Sequence, residues 1–140
     1  MKKSITFLLT VVMAVAVFVA SAFPAAAAET GIESRLSNAD SAIASFGIAD
    51  GVAHFAVTYN GNEETFTQAR VTVTVQKRFL LMFWNDVGSW TGTSTEVYGD
   101  FYTTIPVEKT GMYRAKYTLE FYGTSGVVDV IEDTMEFKYE

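Results

Sequence analysis

Residues 111–122 read Gly-Met-Tyr-Arg-Ala-Lys-Tyr-Thr-Leu-Glu-Phe-Tyr, and no other stretch constrains the fold as strongly. Tyr113, Ala115, Tyr117, Leu119 and Phe121 fall on one side of an extended chain, with Met112, Arg114, Lys116, Thr118 and Glu120 on the other. Side chains on a strand alternate faces with a period of two, whereas a helix would scatter these apolar groups around its circumference. The segment therefore predicts a long antiparallel strand with one buried face. A loop signal, Gly123-Thr124-Ser125-Gly126, separates it from a second β-rich run at residues 127–139, with a break expected around Glu132-Asp133.

The same period recurs upstream. Ala42, Ala44, Phe46 and Ile48 alternate up to Asp50-Gly51, a dipeptide suited to a type I′ hairpin because both central residues there need positive φ. Ala53, Phe55, Val57 and Tyr59 line one face of the return strand, which ends at Asn60-Gly61. In residues 69–78, Val71, Val73 and Val75 point inward while Arg70, Thr72, Thr74 and Gln76 point outward. Residues 84–90 form the next strand, where Trp84, Val87 and Trp90 are spaced three apart. Period two cannot place all three on one face, so a bulge is expected near Asn85-Asp86. Residues 96–107 are extended, with Pro106 at a position that needs no ladder donor.

About seven short alternating strands separated by turns predict an all-β, immunoglobulin- or fibronectin-III-like antiparallel β-sandwich. The order Lys109-Thr110-Gly111-Met112-Tyr113-Arg114-Ala115 resembles the tyrosine corner of such domains, with Ala115 where many immunoglobulins carry their second cysteine. That resemblance implies a bond from the Tyr113 hydroxyl to backbone a few residues upstream. More broadly, Ala39-Asp40-Ser41-Ala42-Ile43-Ala44-Ser45, the strand Ala69 to Lys77, Trp84-x-x-Val87-x-x-Trp90, Gly111-x-Tyr113-Arg114-Ala115-Lys116-Tyr117 and Phe121-Tyr122-Gly123-x-x-Gly126 resemble a group of small secreted Gram-positive bacterial proteins. Those proteins have one immunoglobulin-like domain and no assigned function. The match is in framework residues, so it implies fold and location and carries over no catalytic residue.

The N-terminus predicts export. Lys2 and Lys3 precede an apolar stretch over residues 5–20, and Ala26-Ala27-Ala28 offers a small-x-small cleavage site. Residues 1–28 are thus a signal-peptide helix, 29–40 a flexible arm, and 41–140 the sandwich domain, secreted after cleavage near Ala28. The competing possibility is a retained membrane anchor, because the apolar length approaches the ~20 residues of a spanning helix. Residues 29–140 hold 8 basic and 16 acidic side chains, a net charge of −8, which argues against nucleic acid or anionic lipid as an electrostatic partner and works against a membrane-active role. The chain has no cysteine, which excludes disulfides and thiol catalysis.

Little else points to chemistry. His54 is the single histidine, expected half-exposed on its strand, and no nucleophile elbow accompanies it. Asp129, Glu132, Asp133 and Glu136 cluster near the C-terminus without the spacing of a calcium loop, and are expected to serve as solvated strand edges. Neither a metal site nor a cofactor is expected. Trp90, Tyr98, Tyr102 and Tyr122 are candidates for a sugar-stacking platform.

The anomaly is residues 79–84: Phe79, Leu80, Leu81, Met82, Phe83 and Trp84 follow Lys77-Arg78. The resembling proteins usually have a polar turn here. As a hairpin tip, six consecutive large apolar residues would leave one face exposed; alternatively they fold back over the open end of the sandwich. These six are the candidate binding residues, and the first reading is a non-enzymatic module that contacts an extracellular protein or glycan, or a second copy of itself. The alternatives are a membrane-active protein inserting the same segment, and a hydrolase using His54 or an acid pair.

Overall fold

The computed structural model describes residues 36–140, so the predicted signal peptide and most of the predicted arm lie outside the described residues. Seven antiparallel strands run in chain order: β1 (Ala39–Ala49), β2 (Val52–Gly61), β3 (Phe66–Phe79), β4 (Phe83–Ser94), β5 (Tyr98–Pro106), β6 (Gly111–Gly123) and β7 (Val128–Tyr139). They form two sheets, ordered β1-β2-β5 and β4-β3-β6-β7. The fold is an all-β sandwich of the fibronectin-III-like kind, since β4 stays hydrogen-bonded to β3 and does not cross to β5. β1 begins at Ala39, three residues before Ala42, the first residue of the expected alternation, and β7 runs unbroken through Glu132-Asp133.

The period-two pattern is realised in the core. Val71, Val73 and Val75 of β3 and Tyr113, Ala115, Tyr117, Leu119 and Phe121 of β6 are buried, facing Phe46, Phe55, Val57 and Tyr59 of the other sheet. Phe55 packs on Tyr117 at 5.4 Å, and Tyr59 gathers Phe66, Phe101 and Phe121 at 5.7, 5.6 and 5.6 Å. The Tyr59 hydroxyl donates to the Glu96 carbonyl at 2.7 Å, so this deeply buried ring leaves no polar atom stranded. Ala115, at the position of an immunoglobulin cysteine, is fully buried. The Tyr113 hydroxyl donates to the Lys109 carbonyl at 2.5 Å, closing the tyrosine corner.

Turn chemistry follows the sequence at β1–β2, where Asp50 and Gly51 have φ of 49° and 75°. The bulge in β4 falls one residue beyond the expected place. Val75 pairs with Gly88 and Gln76 with Asp86, leaving Val87 unpaired. That one extra residue reverses the alternation, putting Trp90 against core Phe101 at 6.2 Å and Trp84 on the opposite, outer face.

The two ends of the sandwich differ in character. At one end the chain enters through Ser37 and Asn38, whose backbone amides donate to the Asp129 carboxylate at 3.0 and 2.6 Å. The buried Asn38 amide donates to the carbonyls of Phe121 and Val127 at 3.0 and 2.7 Å. At the other end lie the β1–β2 turn, the start of β6, the end of β7 and the β3–β4 hairpin. β3 has 14 residues, so the ends are roughly 40 Å apart.

Candidate functional site

The β3–β4 hairpin outruns its sheet. Pairing of β3 with β6 ends at Lys77↔Tyr113, but pairing with β4 continues through Arg78↔Trp84 to Phe79↔Phe83. Leu80, Leu81 and Met82 form the loop and are 76%, 85% and 75% exposed. Phe79 and Phe83, their rings 5.5 Å apart, are also exposed. The segment does not fold back over the open end, because the two-stranded ribbon stands clear of β6. Five of the six candidate residues thus form one apolar tip. Weighted by exposure, burial of roughly 5–10 kcal/mol is left unused there.

The turn itself is unfavourable for its residues. Leu80 and Leu81 have φ of 49° and 70°, a region that bulky side chains disfavour by about 1–3 kcal/mol each. The Met82 amide donates to the Leu80 carbonyl at 2.9 Å, closing the strained γ-turn whose central residue has positive φ. Asn and Gly, which tolerate positive φ, would occupy these two positions at less cost. Two leucines are therefore held where neither burial nor turn geometry favours them.

The base of the hairpin is braced. Trp84, the sixth candidate, is only half-exposed, and the Arg114 guanidinium lies 4.2 Å from the centre of its ring. Arg114 Nε donates to Gln76 Oε1 at 2.7 Å, and Gln76 Nε2 donates to Asp86 Oδ1 at 2.6 Å. On the inner side Lys77 Nζ stands 6.0 Å from the Tyr113 ring. Sequence reading missed this brace, since Arg114 and Gln76 are 38 residues apart and become neighbours only through the β3–β6 register.

The other candidates separate. His54 is 4% exposed, not half-exposed, and its Nδ1 bonds the Tyr102 hydroxyl at 2.5 Å across β2 and β5. Burial lowers the His54 pKa and raises that of Tyr102, favouring the neutral form of each group. The acids do not act together. Asp129 is buried in the N-terminal clamp, correcting its expected role as a solvated edge, while Glu132 and Asp133 border a polar groove of about 650 Å³ on the outer face of the four-stranded sheet. Thr72, Thr74, Lys116 and Thr118 line its floor and walls. Among the described residues, no group of three His, Asp or Glu side chains is placed to hold a metal ion. The four aromatics also diverge. Trp90 faces the core, Tyr98 and Tyr102 lie on β5, and Tyr122 on β6 bonds Glu120.

No family model matches the sequence, and no curated protein matches it. Solved structures of similar shape include the sensor domain of the anti-sigma factor RsgI4 from Pseudobacteroides cellulosolvens, at 13% identity and a TM-score of 0.45, covering 74% of this chain and 96% of that one. The putative ApaA protein from Bordetella pertussis is 9% identical with a TM-score of 0.47, covering 74% and 97%. OgpA from Akkermansia muciniphila is 14% identical with a TM-score of 0.42, and the match covers 72% of this chain but 26% of OgpA.

Proposed function

We propose that this protein is a secreted, non-enzymatic binding module that makes its contact through the β3–β4 hairpin tip. The observation that carries the reading is the pair Leu80 and Leu81, both at positive φ and both largely exposed. A turn that needed only to connect two strands would be polar and glycine-containing. Large apolar side chains kept at a protruding tip against both preferences are suited to burial in something else. Secretion is supported by the signal-like composition of residues 1–28. A non-enzymatic role is supported by His54, which is buried against Tyr102 with a lowered pKa and is thus a weak and poorly accessible base.

The test is Leu81→Asp in the chain from Glu29 onward. The variant keeps its far-ultraviolet circular dichroism spectrum but loses surface binding or self-association measured by cross-linking and light scattering. Unchanged association and unchanged surface binding in that variant would overturn the proposal.

A further inference from the structure

Resting on that reading of the tip, we propose that its occupant is a lipid bilayer with anionic headgroups, entered to shallow depth by residues 79–83. The tip is convex and stands beyond β6, so a rigid partner must offer a concave apolar socket. The groove on this chain's own four-stranded sheet is lined by threonines, Lys116 and Glu132, which makes it a poor socket for leucine in a second copy. A fluid bilayer has no such shape requirement.

The hairpin is also layered. From the apex backward the hairpin presents Leu80-Leu81-Met82, then Phe79↔Phe83, then Arg78↔Trp84, then Lys77↔Asn85. At strand rise, the Arg78–Trp84 layer lies roughly 7–10 Å behind the apex. That matches the roughly 5–10 Å to which interfacial elements sink, and it puts a tryptophan and two cations at headgroup level. Arg78 sits on the outer face of the ribbon and Lys77 on the inner, so cations flank both sides.

The negative charge sits away from the tip. Asp40, Glu63, Glu64, Glu96, Asp100 and Glu120 belong to the chain-entry half, where Arg70 is the sole cation among the described residues. At the tip end Lys77, Arg78, Lys109, Arg114 and Lys138 balance Asp50, Asp86, Glu108, Glu136 and Glu140. The net charge of the chain is thus displaced from the tip by several Debye lengths, each about 8 Å at physiological salt. Repulsion from an anionic surface is screened in the tip-first orientation, and Lys77 and Arg78 act locally.

Every core strand lies within residues 39–139, so the chain from Glu29 carries the whole fold and avoids the apolar segment at residues 5–20. The experiment is flotation of that chain with phosphatidylcholine vesicles and with mixed phosphatidylcholine–phosphatidylglycerol vesicles, at low and high salt. Flotation is expected with the mixed vesicles, weakening as salt rises, and a lipid-borne quencher should dim Trp84. Leu81→Asp should reduce binding at least about tenfold, and Lys77→Gln or Arg78→Gln about fivefold each on mixed vesicles alone. Failure of the wild type to float with either vesicle overturns the bilayer. If Leu81→Asp then still alters self-association or protein-surface binding, the tip reading stands with a protein occupant; if it alters neither, both readings fall.

Discussion

The Arg114 guanidinium lies 4.2 Å from the centre of the Trp84 ring, joining β6 to the base of a hairpin that otherwise leaves β6 behind at Lys77. The contact continues through Gln76 to Asp86, so the base of the tip is held by three strands although its apex is held by two. Arg114→Ala should cost about 1–2 kcal/mol, from the lost cation–π contact and the stranded Gln76 carbonyl. Trp84 emission should shift to longer wavelength as the indole gains water. An unchanged spectrum would mean the brace does not form in solution.

Replacing the two leucines by the residues the turn prefers should separate stability from function. The double change Leu80→Asn, Leu81→Gly removes unfavourable positive φ at both positions and should raise the unfolding free energy by about 1–3 kcal/mol. Urea denaturation measures it. Whatever the tip contacts should be lost in the same variant, and a destabilised double variant would show that the leucines serve the fold.

At the opposite end, a Cβ on Gly123 would stand 1.8 Å from Asn38 Oδ1, in space that the clamp already fills. Gly123→Ala should destabilise by about 2–4 kcal/mol, displacing the Asn38 bonds to Phe121 and Val127. In an Asn38→Ala background the same change should cost much less, since the clashing atom is gone. Additive effects in that cycle would contradict the packing.

The buried histidine gives a pH dependence whose sign is determined. Burial lowers the His54 pKa below its ordinary value of 6.5, so the unfolded chain binds a proton more readily than the folded one. The corresponding stability is present above that ordinary value and is lost as pH falls through the lower folded pKa. Melting temperature should therefore begin to drop as pH falls below about 6.5, before most carboxylates titrate. His54→Gln should flatten the profile in that window, and an equal drop in the variant would assign the effect to other groups.

How much was legible in the sequence depended on how local the cause was. The alternation in residues 111–122 and 69–78, the Asp50-Gly51 turn and the tyrosine corner at Tyr113 are short-range patterns, and each appears where it was read. Exposure of His54 and the role of Asp129 were misread because burial on a strand's outer face is set by neighbours from other strands, here Tyr102 for His54. Asp129 is likewise captured by the amides of Ser37 and Asn38, 92 and 91 residues away.

The sequence by itself determined that this chain makes antiparallel strands with one apolar face each, because side-chain alternation is a property of the strand backbone. It also singled out residues 79–84 as out of place. Whether those residues were covered or presented was a matter for the tertiary structure. Covering them would require the hairpin to turn back over the open end of the sandwich, whereas presenting them requires its two strands to stay paired past the end of the sheet, and that depends on a register shared by distant segments. β6 begins at Gly111, opposite Tyr139, but its last pair with β3 is Tyr113 with Lys77, so the ribbon beyond Lys77 is paired to no third strand and its apolar tip faces outward.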